Sequence, residues 1–252
     1  MLNILFIPEI ILSIGVMIII LFDLFFQKQK GLSFTLVQFL LLIAAYYSLN
    51  NKFSPSYSAY TLNEFTNVFK FILLVGSLAI FHYTYKHLKF LKILKIEYFT
   101  ISLLGLIGTM IMISANSLLM LYLGIELLSL SLYALIGFNK KSSLSSEAAI
   151  KYYVLGAMSS GILLFGISLI YGFTGSIGYD DIASQLINID INSVDYIAII
   201  FGIIFITASL CFKFGAAPFH MWVPDIYQGS LISTTILLST LPKIAVFIVF
   251  LK

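Results

Sequence analysis

Arginine is missing from this chain of 252 residues, so all fourteen of its basic residues are lysine. Charge of either sign is scarce: Asp, Glu, Lys and Arg make up 10% of the residues, against 60% that are hydrophobic. That balance excludes an ordinary water-soluble fold. The one cysteine, Cys211, lies inside an apolar run, which leaves no disulfide and no Cys-rich metal or iron–sulfur site, and it reads as a small buried hydrophobe. Phosphate loops are missing too. Gly172, Gly175 and Gly178 are spaced G-x-x-G-x-x-G with no strand before them, and read as a flexible exit from a helix. No nucleophile stands beside a base and no His/Cys cluster occurs, so the chain is expected to carry no redox cofactor, no metal and no nucleic acid.

Long apolar runs are what the chain does have. About twenty apolar residues cross a hydrocarbon core of about 30 Å as a helix. The runs are continuous and do not alternate, which excludes a membrane barrel. The predicted fold class is therefore an all-α integral membrane protein, a polytopic bundle of about eight transmembrane helices. The spans are placed at about 4–26, 33–49, 68–86, 98–114, 117–138, 152–172, 196–219 and 230–251. The first is too long for a signal-peptide core and lacks preceding positive charge, so it reads as a retained helix. Tyr98 to Phe138 exceeds one helix, and Ser114, Ala115 and Asn116 are the expected turn.

Lysines orient the spans. Loops after the odd-numbered spans hold Lys28, Lys30, Lys86, Lys89, Lys92, Lys95, Lys140 and Lys141, and Lys151 sits at the mouth of the sixth span. Lys52 and Lys70 are assigned to loops after even-numbered spans, with Asp180, Asp181, Asp190 and Asp195 after the sixth. The positive-inside rule then puts odd loops in the cytoplasm or matrix, and the N-terminus with the acidic loop 178–195 on the opposite side.

Four ionisable residues interrupt apolar surroundings. Glu126 lies about halfway along the fifth span, where a carboxylate costs a few kcal/mol and marks function by default. Lys213 breaks the run from Tyr196 to Phe219 and is followed by Gly215 and Pro218, which break or kink a helix. A lysine beside a broken helix is the pattern of a transport site, although one snorkelling to the surface is the alternative. Lys243 follows Pro242 deep inside the eighth span. Lys151 fits either an interfacial anchor or a proton-path member. His220, two residues after Pro218, is a further relay candidate at neutral pH, with a hydrogen-bonded structural role as the alternative. Two unit charges about 10 Å apart at an effective dielectric of about 20 interact by roughly 1.7 kcal/mol, enough for one proton's movement to bias the next site.

Three stretches taken together carry a resemblance: 121–130 (LYLGIELLSL), 147–157 (EAAIKYYVLGA) and 213–227 (KFGAAPFHMWVPDIY). They resemble the subunit 2 family of respiratory complex I, whose bacterial form is chain N of NADH:quinone oxidoreductase. The likeness covers most of residues 98–252, with a weaker echo at Pro8-Glu9 and Asp23. It implies an antiporter-like, proton-translocating membrane-arm subunit, in which Glu126, Lys213 and Lys243 form the proton path and Lys151 matches a further lysine. It also implies a division into a three-helix segment, 1–97, and a five-helix antiporter-like repeat, 98–252, with a broken seventh helix. NADH, FMN, iron–sulfur clusters and ubiquinone are then expected on other subunits.

Two departures accompany it. After Gly229 this chain has Ser230 to Thr235 where the family has a Pro-rich stretch, and the family's second repeat is not present. The expected partners are therefore other complex I membrane-arm subunits, a separate chain supplying the second repeat, and lipids. The lysine-only, Ile- and Asn-rich composition fits an AT-rich genome, so the expected location is the mitochondrial inner membrane, with a bacterial plasma membrane as the alternative. Competing readings are a bridging scaffold that has lost pumping and a stand-alone cation/proton antiporter.

Overall fold

The computed structural model describes residues 6–26, 29–50, 59–188 and 193–252. Among them the chain forms ten helices: α1 (Ile7–Phe25), α2 (Lys30–Asn50), α3 (Glu64–Phe90), α4 (Glu97–Ser114), α5 (Leu118–Ile136), α6 (Ser143–Thr174), α7 (Tyr179–Asn188), α8 (Val194–Phe214), α9 (Trp222–Gly229) and α10 (Ile232–Phe250). Eight are long and apolar enough to cross a membrane; α7 and α9 are the short exceptions. Eight spans and an all-α bundle are what hydropathy predicted. Lys28, Lys52 and Asp190, used in the orientation argument, lie outside the described residues.

Local chemistry sets the ends. Pro8 occupies the first turn of α1, where its missing N–H costs nothing. Asn63 and Thr66 cap the start of α3 reciprocally, and Ser117, Ser142 and Ser193 accept backbone N–H groups at the starts of α5, α6 and α8. The turn predicted at Ser114 to Asn116 is present between α4 and α5. Gly175, in the left-handed region at φ 67°, ends α6, so the glycine-rich stretch is a helix exit.

Helix α4 is central, with 78% of its membrane window buried against 33–50% for the other seven spans. It packs along α5, α1 and α10, while α6 packs along α8, and α2 bridges α1 and α3. The tightest crossings use glycine in place of side chains. A Cβ on Gly108 would stand 2.8 Å from the Gly124 carbonyl oxygen, and one on Gly166 would stand 2.7 Å from that of Gly202. Apolar burial drives no helix association in lipid, so such close backbone approach is a main source of attraction. A pair of serines adds to the second crossing: Ser159 and Ser209 meet Oγ to Oγ at 2.9 Å, and Ser209 donates to the Ser159 carbonyl at 2.8 Å.

At the acidic-loop end, backbone bonds stitch three connections together. Thr61 N–H donates to the Ser114 carbonyl at 2.9 Å, Asn116 to Ala59 at 3.0 Å, and Leu118 to Ile177 at 2.9 Å.

Two placements differ from the hydropathy reading. The sixth span begins nine residues earlier, at Ser143, because Ser142 caps it and carries Lys151 two turns inside the helix. Lys70 is not in a loop. It lies within α3 and is fully buried, because Glu9 and Tyr60, brought from elsewhere in the chain, satisfy its charge.

Candidate proton-transfer site

The break in the seventh span lies where Gly215 and Pro218 predicted it. Helix α8 stops at Phe214, Gly215 takes the left-handed conformation at φ 75°, and the chain turns through Ala216 to Met221 before α9 begins. A helix end leaves four carbonyls without intrahelical donors, and inside a membrane each must be satisfied. Here all four are. The Cys211 oxygen accepts from Gly215 and Ala216 N–H, at 2.9 and 3.0 Å. The Phe212 oxygen accepts from Gly215 N–H and from Trp222 Nε1, both at 3.0 Å. The last two oxygens, of Lys213 and Phe214, accept from Lys243 Nζ, the first at 3.2 Å.

Lys243 thus places its ammonium at the negative end of the α8 dipole, which favours a cation. It reaches there from mid-α10 and stands 5.0 Å from the centroid of the Trp222 ring.

Lys213 points the other way. Its side chain is buried, and Nζ donates to Ser129 Oγ at 2.8 Å and lies 3.5 Å from the Tyr133 hydroxyl. Ser129 and Tyr133 are three and seven positions after Glu126, on the same face of α5. Lys213 and Glu126 therefore share one interhelical region without a direct ion pair. Among the described residues, Glu126 keeps a buried Oε1 without a hydrogen-bond partner. The Tyr133 hydroxyl is in turn seated over Gly156 of α6, where a Cβ would stand 2.0 Å from it.

The other predicted members are placed differently. Lys151 is exposed on α6 and pairs with Glu147 at 2.8 Å and with Asp225 of α9 at 3.0 Å. His220 is exposed in the connection after the break, with no side-chain hydrogen bond or ion pair among the described residues. Cys211 is partly buried. No group of three metal-ligating side chains occurs among the described residues. Sequence reasoning missed Ser129 and Tyr133 as partners, although their i+3 and i+7 spacing from Glu126 was a signal. It also missed Trp222, whose N–H completes the broken end. The entry to α10 is held by polar contacts: Thr234 Oγ1 meets the Tyr98 hydroxyl at 3.0 Å, and Ser230 Oγ meets Thr235 Oγ1 at 2.8 Å.

Residues 114–252 match the family model described as NADH:quinone oxidoreductase/Mrp antiporter, TM. Subunit N of NADH-quinone oxidoreductase from Ruthia magnifica is 41% identical over 250 residues, covering 97% of this chain and 52% of that protein. The Pelagibacter ubique subunit N is 37% identical over 249 residues, again with 97% and 52% coverage. Among solved structures, a chain of respiratory complex I from Thermus thermophilus superposes with a TM-score of 0.77 at 25% identity, over 97% of this chain and 52% of that one. A chain of an archaeal membrane-bound sulfane sulfur reductase gives 0.80 at 22% identity, over 95% and 50%, and shares the fold. The chain spans about half the length of the relatives it matches.

Proposed function

The chain belongs to the NADH:quinone oxidoreductase/Mrp antiporter transmembrane family, and from that premise we propose that it is a proton-translocating membrane-arm subunit of a complex I type NADH:quinone oxidoreductase. The observation that carries this reading is the broken helix α8. It buries the Lys213 ammonium beside the Glu126 face of α5 and offers its own last carbonyls to Lys243.

Three ionisable groups on three helices are thereby coupled through one backbone break. A proton on Lys213 is stabilised by hydroxyls and by the nearby Glu126 carboxylate. A proton on Lys243 is stabilised by the end of the helix that carries Lys213. Moving a charge at either lysine changes the field at the other, so protonation at one biases the next. A scaffold would gain little from such intramembrane charges. Glu126, Lys213 and Lys243 form the path; Lys151 and His220 are peripheral members at its mouth.

No redox chemistry takes place on this chain, and NADH, flavin, iron–sulfur clusters and quinone are handled by other subunits. Its partners are other membrane-arm subunits and lipids. The exposed apolar side of α10, which includes Phe247 and Phe250, is a packing face for such a partner. The relatives are bacterial, which favours a plasma membrane over the mitochondrial inner membrane suggested by composition.

The test is Lys213→Ala and Glu126→Ala in assembled complex in inverted membrane vesicles. Proton pumping per electron is expected to fall by about tenfold or more, modest for a positioned proton-transfer group. Normal pumping by both assembled variants would sink the assignment.

A further inference from the structure

A second cluster of buried ionisable groups lies at the acidic-loop end of the bundle. Glu9 is in the first turn of α1, Lys70 is two turns into α3, and Tyr60 precedes α3. Lys70 Nζ stands 2.6 Å from Glu9 Oε1. The ammonium also donates to the Tyr60 hydroxyl at 2.6 Å, and that hydroxyl donates to the same Glu9 oxygen at 2.6 Å. Exposure is 0% for Lys70, 1% for Tyr60 and 5% for Glu9. Among the described residues, the second carboxylate oxygen, Glu9 Oε2, is buried with no hydrogen-bond partner.

A pair that only held α1 to α3 could be replaced by packed apolar side chains without loss. The free Glu9 oxygen adds a desolvation cost with no structural return. Position supplies a use. Helix α10 presents Lys243 to the helix break, and nine residues later Lys252 Nζ donates to the Ala115 carbonyl at 3.0 Å and to Thr61 Oγ1 at 3.2 Å. Thr61 follows Tyr60, and Ala115 is the residue bridged to Tyr60. At about 1.5 Å per residue, α10 covers roughly 10 Å from Lys243 to its end at Phe250, and Lys252 follows two residues later. The helix therefore runs from the Lys213 site to this cluster, with α3 and α4 packed beside it.

We propose that Glu9, Tyr60 and Lys70 form a second proton-transfer centre, exchanging protons between the membrane interior and the water on the acidic-loop side; this rests on the proton-translocating reading above. In the step itself, the Lys70 ammonium gives a proton to the Tyr60 oxygen as that hydroxyl gives its own to Glu9. The ion pair becomes a neutral amine and a carboxylic acid, and no net charge is left in the membrane. Glu9 then releases the proton to water, and Lys70 accepts another from the interior. Burial, and next the Glu9 carboxylate, push the Tyr60 phenol well above its ordinary range, so it serves as a hydroxyl and does not rest as a phenolate.

The experiment is a Glu9→Leu/Lys70→Met double variant in assembled complex, with Lys213→Ala alongside. The double change removes both charges and leaves neither unpaired, so it is compatible with assembly. Pumping per electron is expected to fall about fivefold or more in both. If the double variant pumps normally and Lys213→Ala does not, the cluster is only a staple and the inference fails while the broader reading stands. If both pump normally, both fall. Should the double variant not assemble, Tyr60→Phe removes a single oxygen and keeps the ring: slowed pumping with an enlarged solvent deuterium isotope effect supports the relay, and unchanged pumping overturns it.

Discussion

Two buried lysines, Lys213 and Lys70, lie in one bundle with opposite surroundings. Lys70 is pressed against a carboxylate at 2.6 Å and shares a tyrosine with it. Lys213 has a serine and a tyrosine for neighbours, and its carboxylate, Glu126, is on the same face without touching it. An ammonium held by hydroxyls can lose its proton without leaving an anion in contact behind it. A contact ion pair neutralises only when both partners change together. The first arrangement suits a site that changes charge at one group; the second suits one whose first step passes a proton between its own groups with no change in total charge.

The strongest way to break this comparison is to remove one acid at a time. Glu9→Ala leaves the Lys70 ammonium buried and unpaired, and breaking a buried pair from one side costs about 3–5 kcal/mol. The amount of assembled complex on native gels, and its resistance to heating, should drop sharply. Glu126→Ala removes no contact partner of a cation, so assembly should stay near the wild-type level while pumping is lost. Equal losses of assembly would mean that the two acids do the same structural work.

The helix break can be probed next through two left-handed glycines. A Cβ in this conformation costs about 1–2 kcal/mol at either position. At Gly175 a Cβ meets nothing within 4 Å, whereas at Gly215 it would stand 3.0 Å from Lys243 Nζ and 3.1 Å from Val223. Gly175→Ala should therefore lower thermal stability alone. Gly215→Ala should also push Lys243 off the carbonyls of α8 and reduce pumping, measured in assembled complex at matched amounts.

The smallest effect is expected at Lys151. Its partners Glu147 and Asp225 are exposed, and exposed ion pairs contribute little. Lys151→Ala should keep assembly and pumping within about twofold of wild type. A larger loss of pumping, with assembly unchanged, would move Lys151 from the periphery of the path into its middle.

Much of this was legible residue by residue. Apolar runs long enough to cross lipid must form helices, because no other donor or acceptor is available to their backbone. Gly215 and Pro218 placed the end of α8 by their own backbone limits. Lys70 was misassigned for an equally local reason: the polar stretch 63–67 before it reads as loop until Asn63 and Thr66 are seen to cap a helix there. His220 was a sound relay candidate by residue type, but the turn after the break leaves it exposed.

The sequence by itself determined the medium, the number of spans and which residues carry charge into the membrane, since hydropathy and helix breaking depend on neighbours along the chain. Only the tertiary structure decided which groups those charges meet. Lys213 finds Ser129 across 84 positions, Lys243 finds the carbonyl of Lys213 across 30, and Tyr60 finds Glu9 across 51. The stability of a buried charge is set by atoms within a few ångströms, and helix packing alone brings such distant residues that close.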